Sequence, residues 1–225
     1  MPLPSIVSAA IRGLVLALLP FATAWAADLK VLAGGSMTAV LGELAPQFEK
    51  ATGHRLTIEY GSTPQLIKQV ASGVPFDLGV VPVDLFKDEA AKARFGPGPT
   101  IDIARVGYGV AVRSGMPRPD IATPETFKAT LLKAQSITFL PESAAGAYVL
   151  KTFEKLGIAD AMKAKTRAQT APPQIAQAVA RGEAELGVFL MNVLIAPGVE
   201  PAVPFPAALQ QELVFTASIA ADSKN

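Results

Sequence analysis

Gly34-Gly35-Ser36-Met37-Thr38 is the first stretch of this chain whose residue types could do chemistry. It nearly matches the G-x-S-x-G elbow, in which a serine on a tight strand-to-helix turn attacks a carbonyl, but Thr38 stands in place of the last glycine. A serine nucleophile also needs a histidine base. The only histidine is His54, just past the Gly53 stop of the following helix and so roughly 20–25 Å from Ser36 at 1.5 Å rise per residue. His54 therefore reads as a surface loop residue. One histidine and no cysteine also leave no ligand set for zinc. Asp77 is the one acid in a strongly apolar setting, and a structural hydrogen bond to nearby loop amides accounts for it. No Walker A or dinucleotide fingerprint is present. The expectation is a protein that is not an enzyme, with no metal and no cofactor.

The same residues make better sense as a binding surface. In open α/β folds, ligands sit beyond the carboxyl ends of the strands, where helices begin. Unpaired N–H groups and the helix dipole favour anions or polar oxygens there. Gly34-Gly35-Ser36 follows a first strand, Gly61-Ser62-Thr63 a second, and Ser143-Ala144-Ala145-Gly146 the strand "SITFLP". Glycine and alanine let the backbone reach a ligand, and serine offers both N–H and hydroxyl. Each turn alone is also a plain helix cap. Their recurrence along the chain is what points to a ligand.

These turns need strands and helices in alternation, and the sequence supplies them. "LKVLA" is a strand. "MTAVLGELAPQFEKATG" is a helix with Val40, Leu44 and Phe48 on one face and Pro46 inside. "RLTIEYG" is the next strand, followed by a helix with Thr63 as N-cap and Pro64 as its first residue. "FDLGVV" is a short strand buried on both faces. A helix near 83–93 and the long strand "IDIARVGYGVAVRSG" follow. A second series then runs through "TPETFKATLLKAQ", "SITFLP", a helix with Leu150 and Phe153 inward, "PQIAQAVARGEA" and "LGVFL". "ELVFTASIAA" is the last strand.

Residues 1–26 carry Arg12, the apolar run "GLVLALLPFATAWA" and the small-x-small site Ala24-Trp25-Ala26, the pattern of a signal peptide cleaved before Ala27. The run is short for a membrane span, which takes about 20 apolar residues. Setting Arg12 aside leaves 19 basic residues against 19 acidic, without a basic patch, so nucleic acid is not an expected partner. Without cysteine there is neither a disulfide nor a lipid anchor. The chain reads as a free periplasmic monomer. Its expected organisation is lobe one at 27–105 plus 196–225 and lobe two at 106–195, a two-lobe shape suited to hinge closure around a ligand.

The leader together with "LKVLAGGSMTAVLGELAPQFEKATG", "YGSTPQLIKQVASGVPFDL", "AAGAYVLKTFEKLG" and "ARGEAELGV" resembles the molybdate-binding branch of type 2 periplasmic binding proteins, from about Asp28 to Asn225. The resemblance implies two Rossmann-like lobes with a ligand cleft between them and an ABC permease of the inner membrane as partner. It implies that Ser36 and Ser62 hold an oxyanion, flanked by Gly35, Met37 and Thr63, and that a backbone amide comes from Ala145 beside Gly146. Two positions depart from the family's pattern. Its donor at a late helix start falls on Pro172-Pro173, which lack N–H groups, with Gln174 the alternative by a shift of register. Its tyrosine falls on Leu190. Each unmet hydrogen bond around a buried oxyanion costs about 1–3 kcal/mol. The resulting expectation is a solute-binding protein for a small polar or oxyanion ligand whose identity the sequence does not name. The alternative is an exported noncatalytic sensor or protein-interaction module on the same fold. "SIAADSKN" is where the family continues into a last helix, so the C-terminal helix is expected to be missing.

Overall fold

The computed structural model describes residues 26–225. The expected signal peptide, apart from Ala26, lies outside the described residues.

The strands form one continuous path of pairing built from two sheets. In the first, β1 (Asp28–Gly34) runs parallel to β2 (Arg55–Gly61) and β3 (Leu78–Pro82), and β9 (Glu212–Ile219) lies antiparallel between β3 and β4 (Ile101–Ala111). β4 serves both sheets. Ile101 to Gly107 pair with β9, and Tyr108 to Ala111 pair with β7 (Leu186–Leu190). The second sheet continues through β5 (Ile137–Phe139) to β6 (Thr166–Ala168), both parallel to β7. β8 (Val203–Pro204) pairs with Gly109 and Val110, so residues 203–204 still lie on the second sheet. The short strand β6 and β8 carry too weak a pattern to be read from sequence.

Successive residues of a strand point to opposite faces, and both faces of the first sheet are used. Val31 and Ala33 of β1 and Val80 of β3 join the main apolar core, whereas Leu32 and Val81 join a second core with Leu66, Val70 and Phe95. That is why these strands are apolar without alternation. The main core runs on through Val110, Phe139, Phe153 and Phe189 into the second sheet.

The helices are α1 (Thr38–Thr52), α2 (Thr63–Ala71), α3 (Glu89–Lys92), α4 (Pro124–Lys133), α5 (Ala144–Lys155), α6 (Ala159–Lys165) and α7 (Pro172–Ala180). Several differ from the sequence reading. The N-cap of α2 is Ser62 rather than Thr63, because Ser62 keeps the extended backbone of a cap. Residues 83–93 form a 3-10 turn at Val83–Lys87 and the short α3, not one helix. On α5, Phe153 is buried as read, but Leu150 is exposed and Val149 takes its place inside. Val40, Leu44 and Phe48 of α1 are exposed as well. α1 lies over the edge strand β2, where the sheet ends before it can cover that face, and only its Leu41 packs against the core.

Candidate functional site

β1 and β2 run in register with Gly34 opposite Gly61, so two parallel strands end side by side. Each then turns at once into helix. A 3-10 turn at Gly35–Met37 feeds α1, and Ser62 caps α2. Two local bonds fix these turns. The Thr38 hydroxyl donates to the Gly35 carbonyl at 2.7 Å, and Gln65 Oε1 accepts the Ser62 N–H at 2.8 Å. Opposite them stands the N-terminus of α5, where Ser143 Oγ accepts the Gly146 N–H at 2.9 Å and donates to the Leu140 carbonyl at 2.9 Å.

These three helix starts enclose a cavity of about 20 Å³, room for one water molecule. Its polar wall is Gly35, Ser36, Gly61, Ser62, Thr63, Ser143 and Ala145, and its apolar wall includes Pro82, Leu140, Pro172, Leu213 and Phe215. No Asp, Glu, His, Lys or Arg lines it among the described residues. The first N–H groups of a helix have no intrahelical acceptor. Three such ends aimed at a site without fixed cations suit an anion or polar oxygen held by hydrogen bonds and dipoles.

Of the residues singled out in the sequence, Gly35, Ser36, Ser62, Thr63 and Ala145 line this cavity together. The other four lie elsewhere. Met37 is buried in the main core. The Gly146 N–H is spent on Ser143, and a Cβ at Gly146 would lie 1.9 Å from the Leu140 carbonyl oxygen. Gly146 is thus the position where α5 presses on the end of β5. The Gln174 N–H donates to the Ala171 carbonyl at 3.1 Å, and its Oε1 accepts the N–H groups of Thr170 and Ala171, each at 3.0 Å. Leu190 is wholly buried in β7 opposite Tyr108.

α7 contributes an apolar wall instead of a donor. Pro172 is its first residue, and a Cβ on Gly35 would lie 3.2 Å from the Pro172 ring. Sequence reasoning missed Asn192. Its Nδ2 donates to the Ser36 carbonyl at 2.7 Å, joining the loop after β7 to the turn after β1. The signal for it was present: Asn192 is the first polar residue beyond the apolar run "LGVFLM", again at a carboxyl strand end.

His54 and Asp77 are far from this cavity in role as well as position. His54 Nδ1 accepts the Ala27 N–H at 3.0 Å and its ring stacks on Phe48. Asp77 accepts the Lys30 N–H at 2.8 Å, Ser223 Oγ at 2.8 Å and Asn225 Nδ2 at 3.0 Å. Burial alone would raise its pKa. The three hydrogen bonds, with the Lys30 charge, outweigh that and hold the carboxyl below its ordinary value. Burial pushes the Tyr108 hydroxyl well up. Among the described residues no cluster of three His, Cys, Asp or Glu side chains could hold a metal ion, and no helix is long and apolar enough to cross a membrane.

The family model for bacterial extracellular solute-binding protein matches residues 29–225. An aconitate isomerase of Pseudomonas sp is 31% identical over 230 residues, spanning 99% of this chain and 87% of that protein. The molybdate-binding protein ModA of Azotobacter vinelandii is 29% identical over 178 residues, spanning 78% of this chain and 69% of that protein. In the solved structures, the Azotobacter vinelandii periplasmic molybdate-binding protein superposes with a TM-score of 0.69 at 22% identity, over 88% of this chain and 87% of its own.

Proposed function

The chain belongs to the bacterial extracellular solute-binding proteins, with the two-lobed fold of the molybdate-binding-like type 2 periplasmic proteins, and from that premise we propose that it captures a small polar or oxyanion ligand between its lobes without transforming it. The observation that carries the reading is the register of Gly34 with Gly61, which sets two serine turns side by side against the start of α5. Ser36, Ser62, Thr63 and the Ala145 amide are the proposed ligand contacts. The cavity admits one water, so a larger ligand reaches these groups only when its walls move apart.

The rest of the reading follows from the same premise. The ligand is passed to an ABC permease of the inner membrane, and the protein works as a periplasmic monomer after removal of residues 1–26. For the lobes, the change of β4's partner between Gly107 and Tyr108 supports a crossover there. The pairing of β8 with β4 supports a return to lobe one after residue 204 rather than at 196.

One observation favours a second reading, an isomerase acting on aconitate: the 31% identity to a protein of that name. Against it stands a cavity wall whose described residues offer hydroxyls and amides but no carboxylate, imidazole or amine to move a proton.

Thermal unfolding with molybdate, tungstate, sulfate, phosphate and small organic acids tests the proposal. A true ligand at 100 times its Kd stabilises by about 2.7 kcal/mol. A folded protein shifted by none of them contradicts binding. Incubation with aconitate, followed by NMR, decides the second reading, and appearance of an isomer would establish it.

A further inference from the structure

Along one edge, β4 is paired first by β9 and then by β8, with a single residue between the two. Gly107 is the last residue opposite β9, facing Glu212, and Gly109 is the first opposite β8, facing Pro204. Among the described residues Tyr108 has no strand partner on that edge, and a side chain serves its main chain instead. Gln210 Oε1 accepts the Tyr108 N–H at 2.8 Å, and Gln210 Nε2 donates to the Tyr108 carbonyl at 2.9 Å. The pair of bonds fixes which end of the amide is which. Gln210 Oε1 also accepts the Gln211 N–H at 3.1 Å.

Tyr108 is also where β4 leaves the first sheet for the second, since its partner on the other edge is Leu190 of β7. Tyr108 is buried, and buried main-chain groups need partners. A strand continued through this point would supply them but would resist a change of angle between the sheets. A glutamine amide supplies them on a side chain whose own torsions can follow such a change. The segment 205–211, which returns across the same place, is held by α5 as well. The Tyr148 hydroxyl donates to the Leu209 carbonyl at 2.6 Å, and the Tyr148 ring lies 4.7 Å from that of Tyr108. Ala145, in the wall of the serine-turn cavity, stands three residues before Tyr148, on the same face of α5 and about 4.5 Å along its axis. One turn of helix thus joins the cavity to the crossover.

We propose that Gln210 and Tyr148 are the positioning residues of a hinge centred on Tyr108. They hold the two sheets at the angle that sets the serine turns against α5, and Tyr148 carries a movement of the α5 start to the crossover. Neither residue lines the cavity, so each acts through the angle between the lobes and not by touching the ligand. The inference rests on the two-lobe reading above and adds the residues that set the lobe angle. It does not depend on which ligand is bound.

Inter-lobe distances in the ligand-free protein test it, read between spin labels on Lys50→Cys in α1 and Lys133→Cys in α4. Gln210→Met keeps the length of the side chain and removes both bonds to Tyr108. Tyr148→Phe removes only the hydroxyl, so the test stays in force if Gln210→Met does not fold. Each variant is expected to raise the population away from the wild-type distance by about two-fold or more. Asn192→Ala, which breaks the bond to the Ser36 carbonyl, is the comparison. If it shifts the distances and the two hinge variants do not, the hinge clamp is overturned and the two-lobe reading stands. If none of the three shifts them, the two-lobe reading fails and takes the clamp with it. A lower urea midpoint with unchanged distances means that Gln210 and Tyr148 only stabilise the fold, and that result overturns the proposal as well.

Discussion

The Asn192 side-chain amide donates to the main-chain carbonyl of Ser36 at 2.7 Å, tying two strand ends that lie 156 residues apart in the chain. Ser36 follows β1 of the first sheet and Asn192 follows β7 of the second, so the bond spans the cleft. Such a bond contributes about 0.5–1.5 kcal/mol. Asn192→Ala is therefore expected to shift the ligand-free protein toward open forms by about 2- to 12-fold. The chain has no cysteine, so spin labels on cysteines introduced at Lys50 and Lys133 report the inter-lobe distance cleanly. An unchanged distance distribution would show that the bond does not govern closure.

Pro172 occupies the first position of α7 and withholds an N–H from the cleft. Pro172→Ala restores that donor and removes the ring that meets Gly35. Oxyanion affinity is expected to rise about ten-fold, the equivalent of about 1.4 kcal/mol. Titration calorimetry with sulfate and molybdate on both proteins measures it.

Gly146 has no space for a side chain. Its Cβ would sit 1.9 Å from the Leu140 carbonyl oxygen and 2.7 Å from that of Pro141, and backbone cannot yield as a side-chain tip can. Gly146→Ala is expected to destabilise the fold by about 3 kcal/mol or more. Urea unfolding checks this, and a cost below about 1 kcal/mol would mean that α5 is not seated as described.

Asp77 ties the starts of β1 and β3 to the chain end through Lys30, Ser223 and Asn225. Its folded pKa is lowered, so its contribution is present above the ordinary carboxylate value, near 4, and is lost as pH falls through the folded value. Asp77→Asn is expected to cost about 1 kcal/mol at pH 7, at the low end for a charged hydrogen-bonding group because the site is partly exposed. The difference in Tm from the wild type should shrink as pH falls from about 5 to below the ordinary carboxylate value. A difference constant over that window would remove the carboxylate from the account.

Much of this was legible in the sequence. Gly34-Gly35-Ser36, Gly61-Ser62 and the Ser143–Ala145 turn each stand between a strand pattern and a helix pattern, and the rule that ligands gather at carboxyl strand ends was enough to bring Ser36, Ser62 and Ala145 together. The hidden parts depend on tertiary contact. No periodicity shows that the Gly146 N–H is spent on Ser143, that Gln174 caps its own loop, or that Leu190 is core. The apolar repeat of Val40, Leu44 and Phe48 reads as a buried face, yet burial depends on what lies opposite, and α1 stands over a sheet edge. Asn192 carries only the weaker mark of a polar residue at a carboxyl strand end, without the glycine and serine neighbours that mark the other turns.

The most direct test of the central claim is calorimetric titration of the wild type and of the Ser36→Ala, Ser62→Ala double variant with whichever oxyanion or organic acid raises Tm. Each serine hydrogen bond to a charged ligand is worth about 1.5 kcal/mol or more. The account predicts one site per chain and a loss of at least about 100-fold in affinity in the folded double variant. Unchanged affinity in that variant would contradict it.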